Sequence, residues 1–119
     1  SAGTKSALIR LHDIMLCIDY GNPCIIDELG DDLHPHMIKP ILELFIDKEI
    51  NNKKSQLIFT CHRPELINYL GKYRIIVCEK KDNVSESFRL DEFKSTEARA
   101  TENLAAKYLS GAFGGVPEL

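Results

Sequence analysis

Cys24-Ile25-Ile26-Asp27-Glu28 is a short apolar run that ends abruptly in two adjacent carboxylates. The run carries no polar alternation, the pattern of a parallel strand covered on both faces. Upstream, Leu8, Leu11, Ile14, Met15 and Ile18 recur at helical spacing through residues 5–20, and Gly21-Asn22-Pro23 stops that helix. Downstream, Ile38, Ile41, Leu42 and Phe45 share one stripe over residues 37–46. Pro40 is tolerated in a first helical turn but not deeper, so this helix either starts near Met37 or is kinked.

Residues 51–55 form a polar connector, and Gln56-Leu57-Ile58-Phe59-Thr60 is a second strand-like run. Residues 62–70 read as a short helix with Pro64 in its first turn and Gly71 closing it. A third strand is expected over 73–79, then a turn at Lys81-Asp82-Asn83, then a partly alternating stretch, 84–93, able to pair back as an antiparallel edge strand. Residues 101–109 read as a last helix and 111–117 as a Gly-rich tail. Strand, helix, strand, helix, strand predicts an α/β fold, a mostly parallel sheet flanked by helices. Such sheets bind ligands beyond the carboxyl ends of their strands, at Asp27-Glu28, Thr60-Cys61-His62 and Glu79-Lys80 here.

Composition narrows the class. The 119 residues are 44% apolar, with 15 Lys+Arg against 18 Asp+Glu, as in one globular domain rather than a disordered or collagenous chain. The longest apolar stretches, such as 14–18, are too short for a bilayer crossing, so no membrane partner is expected. A formal charge of −3 gives no long-range pull toward nucleic acid, and Lys53–Lys54 and Lys80–Lys81 read as solvated turns. Cys17, Cys24, Cys61 and Cys78 contain no C-x-x-C pair, so buried free thiols and a reducing, cytoplasmic setting are expected.

Asp27 and Glu28 suit Mg-nucleotide hydrolysis. One carboxylate can hold the water shell of Mg²⁺, a hard cation that prefers oxygen, while Glu28 polarises an attacking water. Taken alone, an acidic pair is also what a solvated strand end looks like. His62, at the end of the neighbouring strand, can reach the same edge and hydrogen-bond a terminal phosphate oxygen. Ser1-Ala2-Gly3-Thr4 enters the first helix with hydroxyls, a small residue and free N–H groups, an anion site or a simple N-cap. His34-Pro35-His36, near Asp31 and Asp32, falls short of a transition-metal site, because histidines flanking a proline should point apart and no third ligand is close in sequence.

Together these segments resemble ABC-class P-loop ATPases. Ser1-Ala2-Gly3-Thr4-Lys5 is similar to the signature motif, Cys24-Ile25-Ile26-Asp27-Glu28 to Walker B, Gly30-Asp31-Asp32-Leu33-His34-Pro35 to the D-loop region, and Gln56 through His62 to the switch-histidine strand. Within that class the chain is most similar to prokaryotic AAA-type abortive-infection and overcoming-lysogeny-defect-like ATPases. Their tail resembles Glu102-Asn103-Leu104, Lys107-Tyr108-Leu109 and Phe113-Gly114-Gly115-Val116-Pro117.

The resemblance implies Glu28 as general base, Asp27 as the Mg²⁺-side carboxylate and His62 as γ-phosphate sensor. It implies that Ser1, Gly3 and Thr4 serve the ATP of the opposite protomer in a head-to-tail homodimer, with Asp31 or Asp32 at the same interface, and that dimer closure controls an effector protein or DNA. The chain departs from the pattern in four respects: no G-x-x-x-x-G-K-[ST] occurs in the 119 residues, no Q-loop is identifiable, Cys61 stands where the family often has Thr, and Pro40 is unusual for its helix. The expectation is therefore a single-domain piece, residues 1–119, of a larger ATPase, nearly inactive alone. The alternatives are a non-catalytic dimerisation module that keeps the fold, and part of an ATP-gated DNA-repair protein of the RecF and structural-maintenance type.

Overall fold

Helix α1 (Ala2–Tyr20) starts where Ser1 Oγ accepts the Thr4 N–H at 3.2 Å, in a computed structural model that describes residues 1–31, 33–92, 108–109 and 111. Gly21, at φ 68°, ends α1. Its N–H reaches the Ile18 carbonyl and the Asn22 N–H the Cys17 carbonyl, the paired bonds of a Schellman stop. Lys53 Nζ donates to the Asp19 carbonyl at 2.7 Å, a cation placed on the negative end of the helix dipole. Lys53 is therefore a cap on α1 as well as part of a turn. The chain divides into two compact units, Ser1–His62 and Arg63–Leu119.

In the first unit, β1 (Cys24–Ile26) pairs in parallel with β2 (Leu57–Phe59), in the register Cys24↔Leu57, Ile25↔Ile58, Ile26↔Phe59. Between them lies α2 (Pro35–Ile46), which buries Ile38, Ile41 and Leu42. Together with Ala7, Ile14, Ile18, Cys24, Ile26, Leu29 and Leu33 these side chains form the buried core. Each fully buried Ile or Leu contributes about 1.5–3 kcal/mol. One face of β1 is covered and the other open: Cys24 and Ile26 are buried, whereas Ile25 is 76% exposed. The expectation of cover on both faces is corrected accordingly.

The connector after α2 is built around two buried polar residues. Asn51 Nδ2 donates to the carbonyls of Phe45 and Ser55, its Oδ1 accepts the Ser55 N–H, and Ser55 Oγ donates to the Asn22 carbonyl. These bonds tie the end of α2 and the entry of β2 to the entry of β1.

In the second unit, α3 (Glu65–Leu70) is entered through Pro64 and closed by Gly71, whose N–H reaches the Ile67 carbonyl at 2.9 Å. A 3₁₀ turn, Lys72–Arg74, leads into β3 (Ile76–Lys81), which pairs antiparallel with β4 (Val84–Arg89). Asp82 and Asn83 both have positive φ, 49° and 64°, the backbone of a two-residue type I′ hairpin. Val77 and Leu90 are buried, with Ile67, Ile75, Phe88 and Tyr108 packed around them.

The fold is thus mixed α/β, with a two-stranded parallel sheet and a separate two-stranded antiparallel sheet. Among the described residues the expected parallel sheet is limited to β1 and β2, and the third strand pairs with β4 across a tight turn. It also starts three residues later than expected, because residues 72–74 coil into a 3₁₀ turn. Helix α1 begins at Ala2 rather than residue 5 and buries Ala7, Ile14 and Ile18, leaving Leu8 64% exposed and Met15 37% exposed. Helix α2 starts at Pro35, so Pro40 lies inside it and supplies no N–H to the His36 carbonyl. Of the four free cysteines only Cys24 is buried; Cys17 and Cys61 are half-buried and Cys78 is exposed. All of the expected tail but Gly111, all but two residues of the last helix, and residue 93 of the expected edge strand lie outside the described residues. Among the described residues, no helix is long and apolar enough to cross a membrane.

Candidate functional site

Parallel pairing in this register puts the residues after Ile26 and after Phe59 side by side. The ladder continues past both strands: the Thr60 N–H donates to the Ile26 carbonyl at 3.1 Å, and the Leu29 N–H donates to the Thr60 carbonyl at 2.8 Å. Between those backbone bonds the Thr60 hydroxyl accepts the Glu28 N–H at 2.8 Å and donates to Asp27 Oδ1 at 2.5 Å. Glu28 itself is left-handed, φ 53°, a conformation costing an L-residue about 1–2 kcal/mol. The chain then turns at once through Gly30, φ 108°, toward α2.

His62 closes the arrangement. Its Nε2 lies 3.9 Å from Glu28 Oε1, beyond hydrogen-bond reach but within ion-pair range when the imidazole is protonated. The side chains are 81% and 57% exposed, so solvent screens the pair and it adds little to stability. Two carboxylates and an imidazole therefore share one open sheet edge, free to meet a ligand. Asp27 bonds through Oδ1 only, and Oδ2 carries no hydrogen bond among the described residues. A hard cation is suited by such an oxygen donor. No cluster of three His, Cys, Asp or Glu able to hold a metal ion occurs among the described residues.

Of the residues singled out in the sequence, Asp27, Glu28 and His62 come together. Ser1, Gly3 and Thr4 lie at the start of α1, where Ser1 Oγ is 2.9 Å from Thr4 Oγ1, and no hydrogen bond or ion pair joins them to the strand ends among the described residues. Asp32 lies outside the described residues. His34 and His36 do not point apart as expected. Their rings stack with centroids 5.0 Å apart, and His34 Nδ1 accepts the His36 N–H as the N-cap of α2. Sequence reasoning passed over Thr60 as a functional residue. The available signal was a hydroxyl two positions before a histidine at a strand end.

A groove of about 440 Å³ runs between α1 and β1, lined by Ile9, Arg10, Asp13, Cys17 and Cys24 among others, and contains none of Asp27, Glu28 and His62. Burial there, then the hydrogen bond that the protonated Cys24 thiol makes to Cys17, pushes the Cys24 thiol up to about 11. That keeps it protonated and unreactive near neutral pH.

A family model described as "AAA domain, putative AbiEii toxin, Type IV TA system" matches residues 24–68. The matched stretch starts on the first residue of β1, ends within α3 and contains Asp27, Glu28, Thr60 and His62. This stretch is thus similar to an AAA-type, ATPase-like family from a toxin-antitoxin and abortive-infection context. No curated protein and no solved structure matches the chain.

Proposed function

We propose that the chain is the C-terminal lobe of an ABC-class ATPase domain belonging to a prokaryotic defence or DNA-associated system. In this reading ATP is the substrate, Glu28 is the general base and His62 contacts the γ-phosphate. Asp27 is the residue that would hold Mg²⁺, whose chemistry is to neutralise charge on the phosphate oxygens. Ser1, Gly3, Thr4 and Asp32 act on the ATP of the second protomer in a head-to-tail dimer, and closure of that dimer drives an effector or engages DNA. The observation supporting this most strongly is the in-register delivery of Asp27, Glu28 and His62 to one sheet edge, with Nε2 and Oε1 3.9 Å apart. The family match over residues 24–68 supports the ATPase class.

A non-catalytic dimerisation or interaction module that keeps the fold is the second reading. Phosphate release from Mg-ATP by the intact protein separates the two. Wild type should turn over, and Glu28→Gln should lose about 10²- to 10⁴-fold in kcat while retaining ATP and accumulating as dimer. Unchanged turnover by Glu28→Gln would remove the general-base assignment. Absence of turnover in wild type would favour the module.

A further inference from the structure

We infer that Thr60 is a positioning residue of this site, a hydroxyl latch that holds Asp27 and Glu28 as one unit at the end of β1. The inference rests on the ATPase reading above. Thr60 engages each of the four residues from Ile26 to Leu29: its N–H donates to the Ile26 carbonyl, its hydroxyl donates to Asp27 Oδ1 and accepts from the Glu28 N–H, and its carbonyl accepts from the Leu29 N–H.

The two backbone bonds are available to any residue with an N–H at position 60. The two hydroxyl bonds are available only to Thr or Ser among ordinary strand-compatible residues. Their polarity is fixed by chemistry, because an ionised carboxylate can only accept. The single hydroxyl proton therefore goes to Asp27, and the oxygen lone pairs remain for the Glu28 N–H. One bond fixes which oxygen of Asp27 is occupied. The other anchors the backbone of Glu28 in its left-handed conformation, which sets where its carboxylate can reach. Thr60 touches neither the phosphate nor the water in this scheme; it acts through Asp27 and Glu28. The β-branched side chain also suits a strand end.

Two readouts in the intact protein test the latch. Thr60→Val keeps the shape and both backbone bonds but loses the hydroxyl, whereas Thr60→Ser keeps it. Hydrogen exchange at the Glu28 amide requires no nucleotide, and exchange should accelerate in Thr60→Val and stay near wild type in Thr60→Ser. For Mg-ATP turnover, Thr60→Val should lower kcat about 10²-fold with KM nearly unchanged, as misplacement of a reacting group does, and Thr60→Ser should restore most of it. An unchanged kcat in folded Thr60→Val, or a loss that Thr60→Ser fails to restore, would overturn the positioning role. Equal Glu28 amide exchange in wild type and Thr60→Val would overturn the latch itself. Wild-type protein without turnover would overturn the ATPase reading instead, and the amide exchange would still decide the latch.

Discussion

Nε2 of His62 stands 3.9 Å from Oε1 of Glu28, although the two residues are separated by 33 intervening positions that include an entire helix. The closeness follows from a short chain of causes. Parallel pairing aligns Ile26 with Phe59, and the ladder runs one residue further through Thr60. Glu28 then turns left-handed, and His62 follows two residues beyond the paired end. An exposed pair at this distance stabilises the fold little. In the ATPase reading proposed above, its value lies in presenting a base and a donor to the same ligand.

Replacing the imidazole tests that second role. His62→Ala in the intact protein should lower kcat for Mg-ATP about 10²-fold, the usual consequence of removing one donor from a developing negative charge, with stability to urea unchanged because the side chain is 81% exposed. An unchanged turnover would remove His62 from the site.

Asn51 is expected to matter for folding rather than chemistry. It is buried and satisfies two carbonyls and one N–H with its single amide. Asn51→Ala should cost about 2–4 kcal/mol in urea unfolding, since the partners left behind are deprived of water as well as of their bonds. A loss below about 0.5 kcal/mol, the range of ordinary surface substitutions, would mean that the connector is not the tie described.

Glycines at the two ends of α1 should respond oppositely to alanine. Gly21 is left-handed and a Cβ there would meet Lys53 Cβ at 3.0 Å, so Gly21→Ala should destabilise by about 1–2 kcal/mol. Gly3 is helical with nothing within 4 Å of an added Cβ, so Gly3→Ala should be neutral or stabilise by about 0.5 kcal/mol. Thermal or urea unfolding of the pair checks both signs.

Cys24 supplies a pH dependence. Its thiol is pushed from 9.0 up to about 11, by burial first and then by the neighbouring Cys17. Between those values the unfolded chain gives up the proton while the folded chain keeps it. The contribution to stability is therefore complete below pH 9 and lost as pH rises toward 11. The stability difference between wild type and Cys24→Ala should shift against wild type across that window, and a constant difference would contradict the assignment.

Much of the site was legible because it rests on local pattern. An apolar run ending in Asp27-Glu28, and another ending in Thr60-Cys61-His62, each mark a strand end by themselves. The Gly21 stop and the Asp82-Asn83 turn were legible for the same reason. What the pattern could not convey was pairing: nothing in Ile76–Lys81 distinguishes a strand that extends a parallel sheet from one that folds back onto β4. Periodicity likewise does not reveal which side of an apolar helix is covered, so Leu8 and Ile14 look alike in sequence although one is exposed and the other fully buried. Thr60 was marked only as part of a strand end, because its own role depends on contacts 32 and 33 residues away.

The convergence of Asp27, Glu28 and His62 on one bound nucleotide is tested most directly by paramagnetic broadening in the intact protein, with Mn²⁺ and ATP replacing Mg²⁺ and ATP. The amide resonances of Asp27, Glu28 and His62, past the carboxyl ends of β1 and β2, should broaden most. Those of Gly21 and Lys53, before the amino ends of the same strands, should broaden far less. Equal broadening of both sets, or broadening strongest at Gly21 and Lys53, would contradict a nucleotide held at the edge where the carboxylates and the imidazole meet.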